Sequence, residues 1–261
     1  MKSAYLVACT RSAVAKAGKG GFKFLRSDDL AVEVIKHLMT LCPTIDPKDV
    51  DDVIVGCANP EGEQGLQIGR MISLRALGQE VPGFVINRYC ASGLEAIAIA
   101  HAKISAGMGD IYVAGGTESM SMIPMTGYKF APSYQVASTV PNYVAGMGHT
   151  AEAVAKKYNI SREAQDEFSV NSHKKAANAI KNGYFKEQIV PIQVRNVFIE
   201  DDVKKELITT IETDEGVRLD TTLEGLAKLK PAFTLGGSVT AGNSSQTSDG
   251  ASFVLVVSED I

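Results

Sequence analysis

Four short apolar runs, Ala4–Cys9, Val53–Cys57, Phe84–Arg88 and Ile111–Ala114, each lead into helix-like sequence or a glycine-containing connection. Strand-length runs that alternate with amphipathic segments bury their apolar faces best when helices are laid over a sheet, so the pattern predicts a layered α/β fold. The sharpest handover comes at Cys90. There Phe84-Val85-Ile86-Asn87-Arg88-Tyr89 ends and helical sequence begins at once with Ala91-Ser92-Gly93-Leu94-Glu95-Ala96. A thiol at such a junction lies over the unpaired N–H groups of the helix, which favour the thiolate, and the thiolate is the nucleophilic form.

The remaining elements follow from periodicity. A first helix is predicted over Asp28–Leu41, with acids in its first turn and Leu30, Val34, Leu38 and Leu41 on one face. The helix after Cys90 carries Leu94, Ile97 and Ile104 among alanines, is expected to be buried, and should stop near Gly107-Met108-Gly109-Asp110. The strand Ile111–Ala114 runs into Gly115-Gly116-Thr117-Glu118-Ser119-Met120, where paired glycines permit close backbone approach or an unusual turn. No spacing around them matches a phosphate-binding or dinucleotide-binding loop.

From about Ser119 the character changes: Met120, Met122, Met125 and Met147 occur with Pro124, Pro132 and Pro141, and long polar helices follow. Ser161 is the predicted N-cap of a helix ending near Asn182-Gly183, with Ala164, Phe168, Ala176, Ala179 and Ile180 as its apolar face and Lys174, Lys175 and Lys181 solvated. A polar turn from Thr240 to Gly250 then precedes a last strand, Phe253–Val257, which can return to the first sheet.

Composition removes several classes of function. An apolar content of 45% fills a core, and a net charge of −4 argues against a general nucleic-acid binder. Cys9, Cys42, Cys57 and Cys90 form no C-x-x-C pair, and His37, His101, His149 and His173 are equally dispersed, so neither a metal site nor a redox motif is expected. No run is long enough for a membrane span, and the first apolar run is too short for a signal peptide, so a reducing, cytoplasmic setting is expected. His101 lies on the same predicted helix as Cys90, roughly 16 Å along it, too far for direct proton transfer. The other histidines show no pairing with Cys90.

Three ordered motifs make the pattern specific: Asn87-Arg88-Tyr89-Cys90-Ala91-Ser92-Gly93-Leu94-Glu95-Ala96, then Gly115-Gly116-Thr117-Glu118-Ser119-Met120, then Ala241-Gly242-Asn243-Ser244-Ser245-Gln246-Thr247-Ser248-Asp249-Gly250. With Val7-Ala8-Cys9-Thr10-Arg11 and Met147-Gly148-His149-Thr150-Ala151-Glu152, they resemble the thiolase family over essentially the whole chain. The resemblance implies a thiolase-like α/β fold, a mixed sheet with helices, whose core spans 1–118 and 236–261. An inserted CoA-covering loop domain would occupy 119–235.

By the same resemblance Cys90 is the acylated nucleophile of acyl transfer to coenzyme A, in 3-ketoacyl-CoA thiolysis or the reverse condensation, with its backbone N–H as one oxyanion donor. Arg218 matches a CoA-contacting position, Phe233, Ala241 and Ser245 match the pantetheine path, and Met147 belongs to the CoA end of the site. The implied partners are acyl-CoA and CoA as substrates, with no permanently bound cofactor, and a second copy in a homodimer or tetramer; fatty acid metabolism is the implied setting. Gln246 resembles the degradative 3-ketoacyl-CoA thiolases more than the biosynthetic forms.

Two departures qualify these expectations. Many thiolases carry a histidine before the residue equivalent to Met147, where this chain has Gly146, so no role passes to His149. The family's second half, with its Asn-Glu-Ala-Phe, Gly-His-Pro and Cys-x-Gly-Gly motifs, has no counterpart in these 261 residues. The expectation is therefore an N-terminal half that carries the nucleophile without the groups that activate it and that pairs with a C-terminal half. Its rivals are a non-catalytic CoA-binding or assembly module and a condensing enzyme of the ketoacyl synthase type.

Overall fold

In the computed structural model, which describes residues 2–261, the chain forms two compact units. The first comprises Met1–Tyr128, Phe185–Glu215 and Thr247–Ile261; the second comprises Lys129–Tyr184 and Gly216–Gln246. Residues 119–128 and 185–215 thus lie in the first unit, whereas the motif changes alone place the boundaries at 118/119 and 235/236.

The first unit runs β1 (Ala4–Arg11), β2 (Ala15–Lys16), α1 (Ser27–Thr40), β3 (Asp52–Gly56), α2 (Ile68–Ala76), β4 (Gly83–Ile86), α3 (Ser92–Ser105), β5 (Ile111–Ser119), β6 (Ile192–Glu200), β7 (Val203–Ile211) and β8 (Ser248–Ser258). Its main sheet has the order β1-β8-β5-β3-β4, with β2 added beside β8. β3 pairs in parallel with both β4 and β5, while β8 runs antiparallel to β5 and β1, so the sheet is mixed. Each parallel pair requires a crossover, and α2 and α3 supply them.

Both faces of the sheet are covered, and strand alternation decides which residue goes where. Val53 and Val55 of β3 join Leu30, Ile35, Leu38, Ile68 and Ile72 in one buried cluster beneath α1 and α2. Ile54 turns the other way and packs with Ala96, Ala100 and Ile104 of α3 and with Tyr112 and Val256. Alanines on α3 let the helix lie close to the sheet. At its first turn the approach is closer still, since a Cβ on Gly56 would sit 2.7 Å from both the carbonyl carbon and Cβ of Ser92.

Three expectations are corrected. β5 does not stop at Ala114 but continues through the glycine pair to Ser119, because Gly115 and Gly116 admit the backbones of β8 and β3: a Cβ at Gly115 would meet Ser252 O at 2.1 Å, and one at Gly116 would meet Gly56 O at 2.6 Å. α3 is buried on one face only; Leu94 is 72% exposed and His101 is exposed. In the second unit, α6 (Arg162–Lys181) turns Phe168 outward and buries Asp166 and Val170. Hydrophobic periodicity missed Asp166 because polar partners satisfy its carboxylate there: Arg162 Nε at 2.8 Å and Asn243 Nδ2 at 2.9 Å.

The hairpin of β6 and β7 belongs with the first unit through Ile192 and Val194, which enter the core under α1. At its base Arg11 forms a two-pronged pair with Asp214, Nη1 to Oδ1 at 2.7 Å and Nη2 to Oδ2 at 2.9 Å. The guanidinium also lies 5.2 Å from the Phe185 ring centroid, so one cation ties both ends of the 185–215 segment to β1. The second unit contains α4 (Tyr134–Thr139), α5 (Met147–Tyr158), α6 and α7 (Leu223–Ala227).

The contact at Gly56 makes a testable demand. Gly56→Ala drives a methyl into backbone of the first turn of α3 and is expected to lower stability by about 1–3 kcal/mol, the range for overpacking. Urea unfolding of the variant measures this, and an unchanged midpoint would show that α3 can move away freely.

Candidate active site

The site in the first unit is built on the C-terminal end of β4. β3 and β4 remain in register to Gly56 opposite Ile86, and the Cys57 N–H donates to Ile86 O at 3.1 Å. The chain then leaves the sheet and turns sharply: Tyr89 adopts φ +47°, the left-handed region that side chains disfavour. Ser92 closes the turn. Its Oγ accepts from Arg88 N–H at 2.8 Å and donates to Tyr89 O at 2.6 Å, while its own N–H donates to the same carbonyl at 3.0 Å.

Cys90 emerges from this elbow exposed, one residue ahead of the N-cap Ala91 and two ahead of the first helical residue of α3. It therefore sits at the strand-to-helix handover that the sequence predicts. Arg88 and Glu95 bracket it with an ion pair at 2.9 Å, Nε to Oε2. His37, in the last turn of α1, and His101, on an exposed turn of α3, are the histidines of this unit, and neither hydrogen-bonds to Cys90.

Beside the elbow lies a buried polar cluster that sequence reasoning did not assign. The Glu118 carboxylate accepts from Ala58 N–H at 2.6 Å, from Asn59 N–H at 3.3 Å and from Gln64 Nε2 at 2.7 Å. Gln64 is wholly buried, and its Oε1 accepts from Ser119 N–H at 2.6 Å, so one side chain joins the loop after β3 to the end of β5. Cys57 is in the same cluster. Burial first, then the negative charge of Glu118, pushes its thiol up to about 12, so Cys57 is held as a neutral packing group.

All five residues expected to contact CoA, Met147, Arg218, Phe233, Ala241 and Ser245, fall in the second unit. The Phe233 ring lies directly on Gly148 of α5, where a Cβ would meet ring carbon Cδ1 at 2.1 Å, next to the exposed Met147. Arg218 is 70% exposed at its side chain, with its backbone N–H donating to His173 Nδ1 at 3.2 Å and its guanidinium 3.6 Å from Asp220. Ala241 and Ser245 are exposed. A cleft of about 390 Å³ in this unit is lined by Glu152, Lys156, Ile160, Leu235 and Ser238, and by none of those five.

The polar turn 240–245 owes its shape to Asn243, whose Oδ1 accepts from Thr240 N–H at 2.7 Å and whose Nδ2 reaches Asp166 and Ser238 O. Glu152 fixes the preceding residues by accepting from Ser238 N–H at 3.0 Å and Val239 N–H at 2.9 Å. Burial pushes its pKa up, but these amide donors outweigh burial and hold the carboxyl below its ordinary value. Among the described residues, no group of three or more His, Cys, Asp or Glu is placed to hold a metal ion, and no helix is long and apolar enough to cross a membrane.

The first unit is thus a two-sided α/β sheet that presents a cysteine at a strained strand-to-helix elbow. The family described as thiolase, N-terminal domain, matches residues 4–260, and the chain belongs to it. It is 47% identical over 262 residues to the 3-ketoacyl-CoA thiolase of Bacillus subtilis (strain 168), covering 100% of this chain and 67% of that protein. It is 39% identical to the peroxisomal 3-ketoacyl-CoA thiolase 1 of Arabidopsis thaliana, covering 98% of this chain and 58% of that one. A crystal structure of the Bacillus anthracis acetyl-CoA acetyltransferase superposes with a TM-score of 0.83 at 34% identity, over 100% of this chain and 66% of that chain. The chain thus spans about three fifths to two thirds of the length of these relatives.

The contrast between the two thiols of this site can be measured. In the native protein at about pH 8, iodoacetamide should label Cys90 first, with Cys57 protected until unfolding; equal initial rates at Cys42 or Cys57 would remove the case for a selective nucleophile. Between pH 9 and 12 the folded state keeps a proton on Cys57 that the unfolded chain loses, so stability should fall as pH rises through that window. Cys57→Ala should flatten this alkaline decline.

Proposed function

We propose that this chain carries the nucleophile of thiolase acyl transfer to coenzyme A. The observation that supports it most directly is Cys90 standing exposed at the elbow before α3, in a chain that belongs to the thiolase family from residue 4 to 260. In the thiolytic direction the Cys90 thiolate attacks the 3-keto carbon of a 3-ketoacyl-CoA. The C2–C3 bond breaks, acetyl-CoA leaves after gaining a proton at C2, and the shortened acyl group remains as a Cys90 thioester. The thiol of CoA then attacks that thioester, giving the shortened acyl-CoA and the free cysteine. Charge gathers on the carbonyl oxygen at each attack, where the Cys90 N–H is one proposed donor.

The second unit is proposed to cover CoA, with Arg218 toward its phosphates and adenine and Met147, Phe233, Ala241 and Ser245 along the pantetheine. Arg218 is exposed and lies beside a single carboxylate, which suits an outer polar contact, and the ring of Phe233 on Gly148 suits a narrow apolar wall. CoA is thus substrate, with no resident cofactor. Assembly as a homodimer or tetramer, pairing with a C-terminal thiolase half and work in fatty acid metabolism complete the reading. Four free thiols fit a reducing setting such as the cytoplasm.

A polypeptide of these 261 residues, incubated with acetyl-CoA, should gain one acetyl group on Cys90 and release one CoA, detected by intact and peptide mass spectrometry. It should show no steady-state thiolysis of acetoacetyl-CoA, because the histidine and second cysteine of the family motifs are not among these residues. Acetylation that persists in Cys90→Ala would refute the assignment of the nucleophile, and sustained turnover lost in Cys90→Ala would refute the incompleteness.

A further inference from the structure

The elbow that presents Cys90 is strapped from outside its own turn. Asn87 Oδ1 accepts from Tyr89 N–H at 2.8 Å, and Asn87 Nδ2 donates to Ala58 O at 2.8 Å. The same peptide segment is held from its other side, where Ala58 N–H donates to Glu118 Oε2 at 2.6 Å. Glu118 is fixed in turn by the buried Gln64, whose amide reaches Glu118 at 2.7 Å and Ser119 N–H at 2.6 Å. A continuous series of hydrogen bonds therefore runs from the end of β5, through the loop after β3, to the residue before the nucleophile.

Tyr89 is where that series does something a packing contact could not. Its φ of +47° is a conformation that a bulky aromatic side chain disfavours and glycine adopts freely. Tyr89 is 61% exposed, so side-chain burial does little to hold it there. What holds it is polar: Asn87 on its N–H, and Ser92 on its carbonyl through both N–H and Oγ. Releasing either end lets the residue relax toward negative φ and swings the next Cα–Cβ bond, that of Cys90.

We propose that Asn87, braced by Glu118 through Ala58, is a positioning residue that locks Tyr89 in the left-handed conformation and so aims the Cys90 thiol. It touches no reacting atom in this assignment and acts through the backbone. The assignment rests on the reading of Cys90 as the acyl acceptor, and the strap itself can be tested without that reading.

The experiment compares Asn87→Ala, the double variant Asn87→Ala/Tyr89→Gly and the parent chain, each in full. Two readouts are taken: amide exchange at Tyr89, and the rate of Cys90 acetylation by acetyl-CoA. Asn87→Ala should speed exchange at Tyr89 while leaving α1 and β8 protected, and should slow acetylation roughly 10–100-fold, the scale for a nucleophile displaced by about an ångström. Alkylation by iodoacetamide, which needs only an exposed thiol, should change less than about twofold. The double variant should recover part of the acetylation rate, because glycine adopts positive φ at no steric cost once the strap is gone.

Normal acetylation by Asn87→Ala, or no recovery in the double variant, would overturn the proposal. If the parent chain is not acetylated, the reading of Cys90 as acyl acceptor fails, and the strap is then judged by exchange alone: faster exchange at Tyr89 in Asn87→Ala supports it and unchanged exchange overturns it. Should Asn87→Ala fail to fold, Asn87→Asp keeps the acceptor for Tyr89 N–H but loses the Nδ2 donor to Ala58 O, so a folded Asn87→Asp should exchange faster at Tyr89 than the parent chain, and unchanged exchange overturns the brace through Ala58.

Discussion

The first turn of α3 rests on backbone. At Gly56 the last residue of β3 offers no Cβ, and the carbonyl carbon and Cβ of Ser92 occupy the space that one would need. Gly116 performs the same service from the other side, because a Cβ there would meet the Gly56 carbonyl at 2.6 Å. Three backbone segments, from β5, β3 and the start of α3, therefore stack with no side chain between them. This stack fixes where α3 begins, and the beginning of α3 fixes where Cys90 stands. Glycine costs conformational entropy in a strand interior, so its use here marks an approach that no larger residue could allow.

That constraint explains why the layered architecture was legible from apolar runs and why its details were not. Strand alternation in Val53-Ile54-Val55 and the stripe Leu30, Val34, Leu38 on α1 carry the main core, and both follow from periodicity. The continuation of β5 through Gly115-Gly116 did not follow, because paired glycines read locally as a break; only the neighbouring strands reveal that they accommodate close packing. Hydrophobic periodicity also misread α6, turning Phe168 inward on paper while the structure exposes it and buries Asp166. A buried carboxylate satisfied by Arg162 and Asn243, 77 residues away in sequence, leaves no trace in an apolar pattern.

The candidate site divides in the same way. Cys90 was legible because a strand end, a helix start and a thiol coincide in consecutive residues, and the elbow of Tyr89 and Ser92 bears out that junction. The roles of Asn87, Gln64 and Glu118 are not legible in the sequence, since their partners include Ala58 and Ser119 backbone groups that no motif names. Their signal was weak but present: Asn87 follows β4, Glu118 closes β5 and Gln64 lies in the loop after β3, beyond the C-terminal edge of three adjacent parallel strands, where open α/β sheets place their ligands. Cys57 shows the converse. It lies in that cluster with a sulfur close to Glu118, yet burial keeps it protonated, so proximity to the site alone does not make a thiol reactive.

The two cysteines thus separate address from chemistry. Cys57 and Cys90 follow the ends of the paired strands β3 and β4, yet one chain turns inward and the other turns out. After β3 the loop is drawn down by Glu118, which takes the Ala58 and Asn59 N–H groups and leaves the Cys57 sulfur enclosed. After β4 the same loop serves as an anchor: Ala58 O holds Asn87, Asn87 holds Tyr89, and the strained turn lifts Cys90 into solvent. The hydrogen bonds that bury one thiol are therefore continuous with those that present the other. A substitution that loosens the Ala58 peptide acts on both at once, so the inertness of Cys57 and the exposure of Cys90 are two results of one local fold.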